Sequence, residues 1–173
     1  MSLVRRSGTI DQPCPGCGAI LPAHDGPVHR YMESSPACWA EYGKVLAREY
    51  SDPELMAGCH RLTTDTFAVQ HPGKPSPQSI QSVAIHLIAL HVVLDLGWTH
   101  ERARALLSRA AERMTFKWLD RPANLGNITA ADVARAGSNT EHMEAVLSWA
   151  SDTWRAWSPH HAQIRAWAGI LRP

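Results

Sequence analysis

The chain has 173 residues and a mass of 19.1 kDa, which suits one domain, or one domain with a small appended module, able to bury a core without disulfide staples. Hydrophobic residues make up 45% and charged residues 19%, which excludes a disordered chain. Seventeen Lys+Arg against sixteen Asp+Glu leave a net charge of +1, which makes a nucleic-acid partner an unfavourable reading.

In chain order, Met1–Arg6 carries two arginines with no apolar core behind them and does not read as a signal peptide. The default expectation is a cytoplasmic location, where four cysteines do not read as disulfide pairs. Residues 1–37 are rich in Pro, Gly and polar side chains and read as a loop-rich zinc-binding module. Residues 38–173 read as an α-helical bundle packed with it. Ser35 caps a helix with Pro36 in its first turn, and Trp39, Tyr42, Leu46 and Tyr50 recur at helical spacing. Ser51-Asp52-Pro53 ends that helix and starts another, which runs to about Gln70 with Gly58 as its weak point. His71-Pro72-Gly73-Lys74-Pro75 is a breaker loop.

Ser76-Pro77 opens a helix to Leu96 that is apolar nearly all round, the pattern of a central buried helix. His86, His91 and Asp95 interrupt its longest apolar run, which therefore falls short of the roughly 18 residues of a membrane span. Thr99 opens a helix through Met114, and 117–127 is irregular. Thr129-Ala130-Ala131-Asp132 has a capping-box pattern and starts a short helix ending near Gly137. Thr140–Trp157 is helical, and Ser158-Pro159 restarts a helix that continues to about Leu171. No strand-like alternation is evident, and the fold class expected is an all-α small helical bundle.

Cys14-Pro15-Gly16-Cys17-Gly18 carries the strongest chemical signal. Two thiolates three residues apart can bind one tetrahedral Zn²⁺, and the glycines permit the tight turn. Cys38, in the first turn of a helix where free N–H groups favour a thiolate, is a third ligand. For the fourth, His29 is preferred because Gly26-Pro27 turns the chain just before it; His24 and Cys59 are the alternatives. A thioredoxin-type site lacks its strand–helix context, and a zinc deaminase lacks its upstream His-x-Glu. Four protein ligands would make the zinc structural.

A second set of candidates is catalytic: His60, Asp65, His71, His86 and His161. Bundle interiors can gather such residues from several helices. His60 and His71 lie about 16 Å apart along a continuous helix and cannot share a metal there. His71 reads instead as the helix end, near its C-terminal dipole. HExxH, EF-hand, GxGxxG and P-loop patterns are absent.

The segments CPGCG (Cys14–Gly18), Asp25–Asp52, HRLTTDTFAVQHPG (His60–Gly73) and PSPQSIQSVAIHL (Pro75–Leu87), with Trp157–His161 as a weaker match, carry a resemblance. The chain resembles a family of uncharacterised bacterial proteins classed as a domain of unknown function. That resemblance implies no particular reaction. Cys59 departs from the family pattern, which lowers it as a ligand. The leading expectation is a zinc-binding helical protein with structural zinc, acting as a binding or adaptor module for an unidentified protein or small molecule. The alternative is a metal-dependent or His/Asp-based hydrolase with its site among the bundle histidines.

Overall fold

The computed structural model describes residues 11–170; the expectations for Met1–Arg6 and for Leu171 fall outside them. Helices dominate, as the periodicity predicted, and the caps set most of their starts. Ser35 accepts the Cys38 N–H and opens α1 (Pro36–Ser51), which buries Cys38, Tyr42, Val45 and Glu49 at helical spacing. Asp52 turns extended, accepts the N–H groups of Glu54 and Leu55, and starts α2 (Pro53–Gly58). The single helix expected from Pro53 to Gln70 is two. Cys59 leaves helical geometry (φ −138, ψ −16) directly after Gly58, and α3 (His60–Gln70) begins beyond it.

Ser76 caps α4 (Pro77–Leu90), and a five-residue π segment, His91–Asp95, continues it. The α-helix expected through Leu96 thus widens by one residue per turn near its end. There Asp95 accepts from His91 at 2.9 Å, from Trp154 at 2.9 Å and from Arg165 at 3.1 Å, tying this end to α7 (Asn139–Ala156) and α8 (His161–Ile170). α4 packs against α3, α5 (His100–Arg113), α7 and α8. Leu87, Ile88 and Leu90 on it are fully buried, each stabilising by about 1.5–3 kcal/mol. By length and composition alone Pro77–Asp95 could cross a membrane; half of its most apolar window is buried inside the protein, which is the pattern of a core helix.

The capping-box helix α6 (Ala130–Val133) is present, and its Thr129 and Asp132 bond reciprocally. A 3₁₀ turn, Ser158–His160, links α7 to α8 where Pro159 was expected to interrupt the helix. Residues 114–128 form neither helix nor strand but anchor Phe116, Leu119 and Leu125 in the core. Buried Gln70 donates to the carbonyls of Leu125 and Ile128 and accepts from the Trp149 indole at 2.9 Å, so this irregular segment has fixed partners. A short hairpin precedes the helices. β1 (Asp11–Pro13) pairs antiparallel with β2 (Ile20–Pro22), Asp11 opposite Pro22 and Pro13 opposite Ile20. Three residues per strand are too few to show alternation.

Candidate metal centre

The hairpin carries Cys14-Pro15-Gly16-Cys17-Gly18 as its turn. Gly18 takes φ +77, and its N–H donates to the Cys14 carbonyl while the Cys14 N–H donates to Ala19. The first turn of α1 brings Cys38 to this loop. The C-terminal end of α3 brings His71, a residue 33 positions from Cys38. The Sγ atoms of Cys14, Cys17 and Cys38 and a ring nitrogen of His71 all lie within 4.8 Å of one another. Cys17 Sγ is 3.7 Å from Cys38 Sγ, and Cys38 Sγ is 3.4 Å from His71 Nε2. A tetrahedral zinc with its usual bond lengths has S–S edges of about 3.8 Å and S–N edges of about 3.6 Å. The donor set therefore fits a tetrahedral S₃N centre in chemistry and in scale.

The surroundings orient these donors. His71 is fully buried, and its Nδ1–H donates to the Phe67 carbonyl at 2.9 Å, which leaves the Nε2 lone pair facing the sulfurs. Its ring stacks on Phe67 at 4.0 Å. Cys14 Sγ accepts the Ser35 N–H at 3.3 Å. A Cβ on Gly16 would overlap the His71 ring and the Glu33 carbonyl, so glycine there is what lets the knuckle close on the imidazole. Arg121, from the irregular segment, donates to the carbonyls of Pro15 and Gly16.

Three thiols at this spacing do not ionise independently. Hydrogen bonds from Cys17 and Cys38 hold Cys14 far below the ordinary thiol range. The Cys14 sulfur in turn pushes Cys17 up to about 12, and Cys14 and Cys17 together also push the Cys38 thiol up. One thiolate opposes the next, and a divalent cation at their centre would attract all three and offset two of the three charges.

Of the expected ligands, Cys14, Cys17 and Cys38 lie together in this cluster and His29 does not. His71 takes the fourth position in the cluster, not His29. His29 sits against Tyr31 at 4.5 Å and Trp39 at 5.4 Å, where burial lowers its pKa. The turn expected at Gly26-Pro27 is not formed: residues 23–29 are extended or irregular, and His29 lies on that aromatic pair rather than at the knuckle. His24 is exposed. Cys59 lies in a second buried group, with Glu49 and His142.

That second group reads as a hydrogen-bonded brace. Glu49, fully buried on α1, accepts from Thr63 at 2.5 Å, His60 at 2.8 Å, His142 at 3.0 Å and the Cys59 thiol at 3.7 Å. Burial and the Glu49 charge push the Cys59 thiol up to about 12. Glu49 and His142 were missed in the sequence because each sits in an ordinary helical pattern; their meeting joins α1, α3 and α7. The five catalytic candidates do not converge. His60 serves Glu49, and His71 the thiols. Asp65 bonds His86 at 2.6 Å and Arg61 at 2.9 Å, and His161 stacks on Trp154 at 3.8 Å.

The fold and the cluster define a small all-α protein with a closed Cys₃His donor set between an N-terminal hairpin and the bundle. The chain belongs to DUF5946, a family of unknown function, which it matches over residues 12–158. No curated protein and no solved structure is found to match it.

Proposed function

We propose that this chain is a zinc-binding protein in which zinc is structural, fastening the hairpin to the ends of α1 and α3. The observation that carries it is the convergence of three thiols and the His71 imidazole within 4.8 Å, with the other ring nitrogen of His71 already committed to Phe67. Four protein ligands leave no position for a reacting water, so the metal organises the fold rather than activating a substrate. Imidazole with thiolate suits zinc, and the reducing cytoplasm is the compartment that keeps such thiols available. The protein then acts as a binding or adaptor module for a protein or small-molecule partner. A net charge of +1 disfavours nucleic acid in that role.

The test is metal content per chain after purification without chelator, with the thermal transition followed on chelation. One zinc per chain, lost in Cys14→Ser together with a lowered transition, is the expected result. A metal that survives Cys14→Ser would sink the reading. A second reading, a His/Asp-based hydrolase, is favoured by the Asp65–His86 pair alone, in which a buried carboxylate orients an imidazole. It requires ester hydrolysis, with p-nitrophenyl acetate as probe, that falls in His86→Gln; equal rates in the two proteins dispose of it.

A further inference from the structure

On the side of the bundle formed by α3, α4 and α5 lies a cavity of about 550 Å³, within the size range of small-molecule sites. It is separate from the cysteine cluster, and none of its lining residues is a candidate metal ligand. Ile85, Val93 and Leu107 give it an apolar wall; Arg61, His100 and Arg104 supply polar groups.

These polar groups are not equivalent. Arg61 is committed to Asp65, which also accepts from His86, so the Asp65 charge is already taken up. Arg102, two residues from Arg104 on α5, lies over the Trp98 ring at 3.9 Å. Arg104 faces the cavity and has neither ion pair nor hydrogen bond among the described residues. His100 Nδ1 is buried and lacks a hydrogen-bond partner. A buried ring nitrogen in this condition is destabilising unless something enters to meet it. Burial also lowers the His100 pKa, which leaves the ring neutral at pH 7 and able to present Nδ1–H to an acceptor. Glu101, at the first turn of α5, is the one lining carboxylate without a partner; it is exposed and can turn to solvent.

We infer that this cavity binds a small amphipathic carboxylate, its apolar body against Ile85, Val93 and Leu107 and its carboxylate on Arg104 and His100 Nδ1. An unpaired guanidinium and an unmet imidazole N–H are the donors a carboxylate satisfies. An alcohol would leave the Arg104 charge unanswered. An ammonium would be repelled by the Arg104 guanidinium and would find only Glu101, an exposed carboxylate free to turn to solvent. The assignment is independent of the zinc centre.

The test uses the full metal-loaded chain, with hexanoate as probe and hexylammonium as its charge-reversed counterpart, read by calorimetry and by amide shifts around α5. Hexanoate is expected to bind and hexylammonium not. Arg104→Gln, at an exposed position, is expected to weaken hexanoate about tenfold, the loss of one charge-assisted contact. Ser108→Trp, which fills the cavity from an exposed lining position, is expected to abolish binding with the far-UV spectrum unchanged. No hexanoate binding up to about 10 mM overturns the inference. So does equal binding of the two probes, or binding indifferent to both substitutions.

Discussion

Replacing Glu49 by alanine removes the acceptor on which α1, α3 and α7 converge. Thr63 and His142 are both fully buried, and His142 already holds one unpartnered nitrogen, Nδ1. Without the carboxylate the Thr63 hydroxyl and the His142 Nε2–H lose their acceptor in a dry interior, at about 1–3 kcal/mol each. His60 is partly exposed and can turn to water, so it contributes less. Thr63 can back-bond within α3, which trims its share. The expected loss is about 3–5 kcal/mol, the range for breaking a buried charged network by deleting one member. Urea unfolding of the zinc-loaded protein measures it, the transition midpoint falling at unchanged slope. The thermal midpoint is expected to drop by about 6–20 °C for a chain of this length. Glu49→Gln keeps the shape and one acceptor oxygen and should cost less than the alanine. A loss below about 1 kcal/mol for Glu49→Ala would refute the reasoning, since it would mean that the donors find other partners at no cost.

Two further outcomes follow from the geometry. Gly16→Ala places a methyl group against the His71 ring and the Glu33 carbonyl, neither of which is the free end of a flexible chain. Zinc affinity, read by competition with a chromophoric chelator, is expected to fall at least about tenfold from the strain of overpacking; unchanged affinity would show that the knuckle does not need to close on His71. His100 has a folded pKa below its unfolded value of about 6.5. The unfolded chain therefore binds the extra proton first, and stability is lost as pH falls from about 6.5 through the folded value. An imidazole NMR titration should place the His100 midpoint below about 6.5, and His100→Gln should flatten stability over that window. A midpoint above the ordinary value would reverse the assignment.

Local signals were readable and long-range ones were not. Ser35-Pro36, Asp52-Pro53, Ser76-Pro77 and Thr99 set helix starts within their own few residues, and the structure has helices starting at each. Cys14, Cys17 and Cys38 were legible because a CxxC turn and a first-turn cysteine are local chemistry. His71 was not. Its spacing from Cys38 says nothing; only the packing of α3 beside the start of α1 brings it to the thiols. The local signal is Gln70-His71-Pro72-Gly73, a helix stop that sets a histidine at a helix end, and that pattern fits a contact with the helix dipole equally well. His29 was favoured because Gly26-Pro27 promised a turn back to the knuckle, and the structure has no turn at those residues. The π segment and the break at Cys59 have no periodic signature, since each displaces the chain by about one residue. The cavity on α5 comes from three helices and from what Arg104 fails to meet, which no sequence pattern records.

Zinc stoichiometry in His71→Ala beside His29→Ala tests the role of His71 as fourth ligand most directly. Wild type and His29→Ala are expected to hold one zinc per chain tightly, while His71→Ala loses it, or keeps it with at least about a hundredfold weaker affinity, in chelator competition. Zinc retained at full affinity in His71→Ala and lost in His29→Ala would contradict that role.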